Sequence, residues 1–345
     1  MSFFKQNLAI DLGTSTFYVS IEKKGIVIRV PAIVAVREGT GQVLAIGENA
    51  MEMAEEAPLD ISIIKPMKNG VISNCTAIEK MISYYMQKAI RNPFKRMLAP
   101  DVMISVPSKI TGVEKRAVEQ SAYNAGAGRI FLIEDAMAAA IGAGIDVSGP
   151  IGQMIIDIGG GTTDIAVISY NGIVVSNSVK IAGDTYNESI INFLRKKFDI
   201  LISEKMAEDV KINVGSVYRD SRKSSMVVKG RDANTGLPKE VEICTDDFLD
   251  ILLEDSILIL EGIHNVLEET PPELSADIYS AGLLMTGGGA LLDGLNILIN
   301  KSTGIKVTIA ENPQDCVVNG AIKTLCDMTQ SEKKIIGKIN RTGRR

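Results

Sequence analysis

Short apolar runs closed by Gly or Pro dominate the start of the chain. NLAID (7–11), FYVSIE (17–22), IVIRV (26–30) and AIVAVR (32–37) predict strands joined by turns. DVMISV (101–106) predicts another strand, which Pro107 ends. From Thr111 the apolar period changes to that of a helix. Val113, Ala117, Val118, Ser121, Ala122 and Ala125 recur at helical spacing behind a Thr111 N-cap. RIFLI (129–133) then predicts a strand feeding a small-residue helix from Ala136 to Gly144. Strand, helix, strand, helix implies an α/β layer fold.

A second block starts the pattern over. QMIIDI (153–158), DIAVIS (164–169) and IVVSNSVKI (173–181) predict three successive strands. Helices are expected at about 185–198 and 203–213, and a polar strand pair near 226–230 and 240–244. A long amphipathic helix over about 246–267 carries Phe248, Ile251, Leu252, Ile259, Leu260 and Ile263 as its apolar stripe. The chain returns through a strand at 281–286, a helix from 289, a strand at 305–309 and a helix at 313–327. Both blocks begin with Asp-x-Gly at the end of a buried strand, at Asp11 and Asp157. This is an internal repeat of an open α/β unit and implies two related lobes with a cleft between them.

Composition narrows the function. The 345 residues are 46% hydrophobic and 23% charged, which suits a globular chain of about two domains with a sizeable core. Lys and Arg number 37 against 42 Asp and Glu, a net charge of −5, so nucleic acid is not the expected partner. The four cysteines (Cys75, Cys244, Cys316, Cys326) and single His264 lie too far apart for a zinc or disulfide framework. MSFFKQNLAID has no signal-peptide character, and no apolar stretch is long enough to span a bilayer. A cytoplasmic protein is expected. From Ser331 the chain turns basic: Lys333, Lys334, Lys338, Arg341, Arg344 and Arg345 face only Glu332. Such a run reads as a solvated terminus or as an attraction to anionic lipid.

Three glycine turns carry the candidate chemistry. Asp11-Leu12-Gly13-Thr14-Ser15 puts an acid and a glycine between two strands, where backbone N–H groups can cradle a phosphate. An ordinary hairpin turn has the same pattern. Asp157-Ile158-Gly159-Gly160-Gly161-Thr162-Thr163-Asp164 is sharper, because three glycines between hydrophobic strands weaken a sheet and need a close ligand to explain them. Asp157 could hold Mg2+ through water. Thr286-Gly287-Gly288-Gly289-Ala290 ends a strand and opens a helix, a setting for a phosphate or a flat base, or simply a tight turn. Neither GxGxxG nor GxxxxGK[ST] occurs, so Rossmann and P-loop readings fail.

On these motifs the chain resembles the actin superfamily of sugar kinases, chaperone ATPases and actins, and within it the bacterial actin MreB family. The stretches that carry the resemblance are DLGT (11–14), PMKNGVI (66–72), EDAMAAAIGAG (134–144), DIGGGTTDIAVIS (157–169) and TGGGALLDGL (286–295), in a match from about residue 7 to 327. The resemblance implies an actin-like ATPase fold of two duplicated RNase H-like lobes with a nucleotide cleft and four subdomains. These would be IA (1–32, 76–145, 315–330), IB (33–75), IIA (146–181, 246–314) and IIB (182–245), with a basic tail at 331–345. It further implies ATP and Mg2+ as ligands, filaments of paired protofilaments, an anionic membrane surface and sister MreB-like proteins as partners, and a role in cell shape or movement. By position, Asp11 and Asp157 would flank Mg2+. Gly13, Thr14 and Ser15 would hold one side of the phosphates, and Gly159, Gly160, Gly161 and Thr162 the other. Gly183 and Asp184 lie in Ala182-Gly183-Asp184, which resembles the family's Gly-Gly-Asp with Ala182 in place of the first glycine. Glu208 and Lys211 would reach the adenosine, backed by Gly287, Gly288 and Gly289.

One departure bears on catalysis. The family's Glu-Pro pair is Asp135-Ala136 here, and that glutamate, with Thr162, is expected to orient the attacking water. Asp is one methylene shorter, and a misplacement near 1 Å can cost about a hundredfold in rate. Weak hydrolysis is therefore expected, unless Asp135 serves only as an N-cap. The family's membrane loop falls at 92–100, where Phe94, Met97 and Leu98 would insert, with Phe3 and Phe4 a second patch. The alternatives are an ordinary ATPase filament or a small-molecule kinase, although no insertion builds an acceptor pocket.

Overall fold

A computed structural model describes residues 6–56, 60–90, 98–329 and 332–333. The chain divides into two compact units, residues 1–147 with 314–345, and residues 148–313.

The first unit is built on a five-stranded sheet. Its strands are β1 (Asn7–Leu12), β2 (Thr16–Ile21), β3 (Gly25–Pro31), β9 (Asp101–Val106) and β10 (Arg129–Glu134), in the order β10-β9-β1-β2-β3. β1 pairs in parallel with β9, and β9 with β10, whereas β1–β2 and β2–β3 are antiparallel hairpins. Parallel strands lie under helices on both faces, and all six residues of β9 are accordingly buried. Leu8, Ile10, Phe17 and Ile104 meet Ile78, Met81 and Ile82 of the helix Cys75–Ala89 in the core. Between β3 and that helix run β4 (Val34–Arg37), β5 (Val43–Ile46) and β6 (Ile61–Ile64) as a separate small sheet, and then the pair β7 (Met67–Lys68) and β8 (Val71–Ile72). The helix Gly112–Asn124 starts as its sequence predicts: Thr111 Oγ1 accepts from Glu114 N, and Glu114 Oε2 accepts from Thr111 N.

The small-residue helix is Asp135–Gly142. A Cβ on Gly142 would lie 1.8 Å from the Cys316 carbonyl oxygen, and one on Gly320 would lie 1.8 Å from that of Ala138. The glycines and alanines of this helix therefore let it cross the C-terminal helix Cys316–Asp327 at backbone contact.

The second unit repeats the first sheet. β11 (Gln153–Ile158), β12 (Thr163–Ser169), β13 (Gly172–Val179), β17 (Leu283–Thr286) and β18 (Val307–Ile309) lie in the order β13-β12-β11-β17-β18. β11–β12 and β12–β13 are antiparallel, while β11–β17 and β17–β18 are parallel. Strand for strand this is the pattern of the first unit, so the repeat inferred from two Asp-x-Gly turns is a duplication of the whole sheet. A second small sheet contains β14 (Ile200–Leu201), β15 (Ser225–Asp232) and β16 (Pro238–Cys244). The long helix Thr245–Glu269 buries Phe248, Leu252, Ile259 and Ile263 against Ile156, Ile165, Tyr186 and Ile190.

Two expectations are corrected here. The strand expected at 281–286 begins only at Leu283, because Pro272–Ala281 is a helix with proline at its first position and Gly282 at φ 89° closing it. No α-helix starts at 289: Gly288–Leu291 is a short 3-10 turn, and the helix begins at Leu295.

Candidate functional site

In the first unit, β1 delivers Asp11 to its end and residues 13–15 make the turn into β2. A Cβ on Gly13 would lie 2.6 Å from the Thr16 carbonyl oxygen, so the turn itself requires glycine. Thr14 is buried, and the Ser15 carbonyl accepts from Ala32 N at 2.9 Å. Ser105 Oγ, on β9, donates to Asp11 Oδ1 at 2.9 Å. Burial pushes the Asp11 carboxyl up to about 6, against the Ser105 hydrogen bond.

In the second unit, β11 delivers Asp157 and the glycine turn follows. Gly159 N donates to Thr162 O at 2.9 Å, closing the turn. Thr286 Oγ1, fully buried at the end of β17, donates to Asp157 Oδ1 at 2.7 Å. The helix Gly183–Phe198 abuts the turn: Gly183 N donates to Gly159 O at 3.1 Å and Asp184 N to Gly160 O at 2.7 Å. Those two amides therefore hold the glycine turn. Ala182, in place of a family glycine, is buried in extended backbone at φ −164°, a conformation open to any residue.

The helix Glu204–Asn213 brings Glu208 and Lys211 to the same place. Lys211 Nζ donates to Glu208 Oε2 at 2.7 Å and to Gly183 O at 3.1 Å, with its side chain only 12% exposed. Asn187 Nδ2 donates to the same Glu208 oxygen at 2.8 Å. Lys211 is thus mostly covered and Glu208 about half exposed, and with Asn187 they form a partly buried hydrogen-bonded network that reaches the glycine turn. Sequence reasoning missed Asn187 and Ser105. Each leaves a trace, a polar residue amid buried apolar ones: Asn187 among Tyr186, Ile190 and Leu194, and Ser105 within DVMISV.

The third glycine cluster has a structural explanation. Cβ atoms on Gly287 and Gly289 would each lie 2.2 Å from Ile158, and Gly287 adopts φ 79°. The 3-10 turn that follows is too short to give the helix N-terminus expected there. Asp135 is the first residue of its helix and Glu134 the N-cap, so the reading of Asp135 as a cap is overturned.

Of the membrane candidates, Phe94, Met97, Phe3 and Phe4 lie outside the described residues, while Leu98 is 47% exposed. Lys333 is 2% exposed and so does not belong to a solvated basic run. Glu332 and Thr329 cap each other at its start, with Thr329 N donating to Glu332 Oε2 at 2.6 Å and Glu332 N to Thr329 Oγ1 at 3.2 Å. The remaining tail charges lie outside the described residues.

The family model of the MreB/Mbl protein matches residues 5–333. The chain belongs to the MreB/Mbl family. Cell shape-determining protein Mbl of Bacillus cereus is 42% identical over 318 residues, covering 92% of this chain and 95% of that one. Cell shape-determining protein MreB of Escherichia coli K12 is 42% identical over 326 residues, covering 93% and 94%. Among solved structures, MreB5 of Spiroplasma citri bound to ADP superposes with a TM-score of 0.88 at 33% identity, covering 96% of this chain and 98% of that one. The AMPPNP complex of MreB5 gives 0.87 at 32%, covering 98% and 99%. A MamK double helical filament gives 0.78 at 20%, covering 94% and 100%, a likeness of fold. The fold is therefore actin-like.

The donor set of this MreB/Mbl chain also bears on the metal. Among the described residues no three His, Cys, Asp or Glu side chains gather to cage an ion. Each unit by itself offers one hydroxyl-held carboxylate, the oxygen-donor type that Mg2+ takes directly or through its waters. No helix among the described residues is long and apolar enough to cross a membrane.

Proposed function

We propose that the chain is an ATP-binding, filament-forming cytoskeletal protein that acts in cell shape or movement. The observation that carries this is the duplicated sheet, with an Asp-x-Gly turn closing the first strand of each copy. Asp11 and Asp157 would hold Mg2+ through its waters, and the metal would neutralise the phosphates. Residues 13–15 and 159–162 would offer backbone amides to the phosphates, while Glu208 and Lys211 would meet the adenosine. The nucleotides named in the MreB5 structures and the cell-shape names of the relatives support this reading.

Four finer proposals accompany it. Hydrolysis is weak, since Asp135 stands where the family has glutamate. Filaments of paired strands assemble with nucleotide, alone or with sister proteins. The protein works in the cytoplasm on an anionic membrane surface. The lobes divide into subdomains IA, IB, IIA and IIB at the boundaries given above.

Mg-ATP should raise the melting temperature, because a ligand that binds only the folded chain adds RT ln(1 + [L]/Kd) to its stability. Gly160→Val should abolish that shift, and negative-stain microscopy should reveal filaments with ATP. An unchanged melting temperature in saturating Mg-ATP would refute nucleotide binding, and a labelled acceptor formed from ATP would point instead to a kinase.

A further inference from the structure

Each five-stranded sheet carries a carboxylate at the same station, with a hydroxyl beside it on the neighbouring parallel strand. Asp11 is the register partner of Ser105 across β1 and β9, and Asp157 is that of Thr286 across β11 and β17. Ser105 donates to Asp11 Oδ1 at 2.9 Å, and Thr286 to Asp157 Oδ1 at 2.7 Å. Ser105 is 3% exposed and Thr286 fully buried. Both strands are otherwise apolar around these positions, with Ile104 and Val106 flanking Ser105, and Met285 preceding Thr286.

An aliphatic residue would pack there without the cost of burying a hydroxyl. Parallel register partners lie about 4.8 Å apart, a gap that a short hydroxyl and an Asp carboxylate close between them. The arrangement recurs with a serine in one unit and a threonine in the other. What the two copies share is thus the hydroxyl and its acceptor.

We propose that Ser105 and Thr286 are positioning residues for the two aspartates. Each hydroxyl fixes its carboxylate about the Cβ–Cγ bond before any ligand arrives, so that the acid presents one face to the waters of a phosphate-bound Mg2+. The inference rests on the nucleotide-binding function proposed above. A carboxylate already held need not be ordered on binding, and outer-shell partners of this kind typically change metal affinity by about 10- to 100-fold.

The test uses the full chain and a fluorescent ATP analogue, titrated with Mg2+ and, separately, in EDTA. Ser105→Ala and Thr286→Val remove the hydroxyls, and Ser105→Thr and Thr286→Ser keep them. The Mg2+ concentration that gives half-maximal tightening should rise about 10- to 100-fold in the first pair and stay put in the second. In EDTA all five proteins should bind alike. A purely structural role would weaken binding by the same factor in both arms and would overturn the proposal, as would an unmoved Mg2+ midpoint in Ser105→Ala and Thr286→Val. Should Thr286→Val fail to fold, Ser105→Ala, which loses one oxygen, carries the test. A wild-type chain that binds no nucleotide refutes the proposed function itself, whereas Mg2+-dependent wild-type binding with unaffected variants refutes only the clamp.

Discussion

Asn187→Leu should weaken nucleotide binding while two opposed effects largely cancel in the stability of the fold. Asn187 is buried, its Nδ2 donates to Glu208 Oε2 at 2.8 Å, and its Oδ1 meets no partner among the described residues. Two effects of opposite sign follow. Losing a hydrogen bond to a charged group costs about 1.5–3 kcal/mol, and removing a buried unsatisfied oxygen relieves about 1–3 kcal/mol. Leu keeps the branching of Asn, and the two terms offset so that the folding free energy should change by less than about 2 kcal/mol on those figures. Glu208 fares differently. It keeps Lys211 but loses one of the two donors on Oε2, and a side chain 45% exposed is then free to swing. Binding through Glu208 should fall about tenfold, or ~1.4 kcal/mol, at the low end of a charged bond because Lys211 remains. Thermal melts without nucleotide, paired with titration of a fluorescent ATP analogue, read the two effects separately. A lower melting temperature with unchanged affinity would make Asn187 structural and refute the reasoning. If neither quantity moves, Glu208 does not meet the nucleotide.

Gly320→Ala places a Cβ against the Ala138 carbonyl and must push the crossing helices apart, so the melting temperature should drop by the equivalent of about 1–3 kcal/mol of overpacking; an unchanged melt would show that the crossing yields freely. Asp232 is held below its ordinary carboxyl value of 3.8 by the Lys239 hydrogen bond first, and then by the Thr235 and Asn234 amides. A depressed folded value stabilises above the unfolded pKa and is lost as pH falls, so Asp232→Asn should lower the melting temperature at neutral pH and progressively less below pH 3.8. A pH-independent difference would sink that account. Leu98→Ser with Phe94→Ser should reduce pelleting with anionic liposomes, and equal pelleting would remove the 92–100 loop as a membrane contact.

The sheets were legible because their strands alternate with Gly and Pro punctuation, and the two Asp-x-Gly turns betrayed the duplication. The Thr111 cap was legible to the residue, since the S/T-x-x-E pattern is local. What escaped depends on contacts distant in sequence. Pro272–Ala281 is the exception, a helix whose Pro272 start and Gly282 stop are local signals that the strand expected at 281–286 overran. Gly287 and Gly289 invite a ligand in sequence, yet Ile158, some 130 residues earlier, fills the space a side chain would need. The Ser105 and Thr286 hydroxyls carry no motif, for their meaning lies in a strand register that only pairing reveals.

Asp135→Glu tests the hydrolytic expectation most directly, and the packing sharpens it. A shorter side chain could recover its reach if the helix Asp135–Gly142 slid toward the ligand. That freedom is absent at both ends. β10 runs in register with β9 up to Glu134, opposite Val106, one residue before Asp135. Farther along, the Ala138 carbonyl lies against Gly320 and Gly142 against the Cys316 carbonyl, contacts that leave no room for even a methyl group. The missing methylene, about 1.5 Å of reach, is therefore not regained by the backbone. Restoring it should accelerate phosphate release by about one to two orders of magnitude, since positioning of the water supplies most of this catalysis, while ATP affinity stays nearly constant. Adding Ala136→Pro to complete the Glu-Pro pair is the harder change: proline is tolerated in a first helical turn, but Ala136 is fully buried and its extra ring carbons need space. The single variant should thus show the larger gain per unit of total protein. Single-turnover phosphate release on wild type, Asp135→Glu and the double variant decides the matter. Brisk wild-type turnover, or no gain in either variant, would mean that another group aligns the water and that Asp135 merely begins a helix.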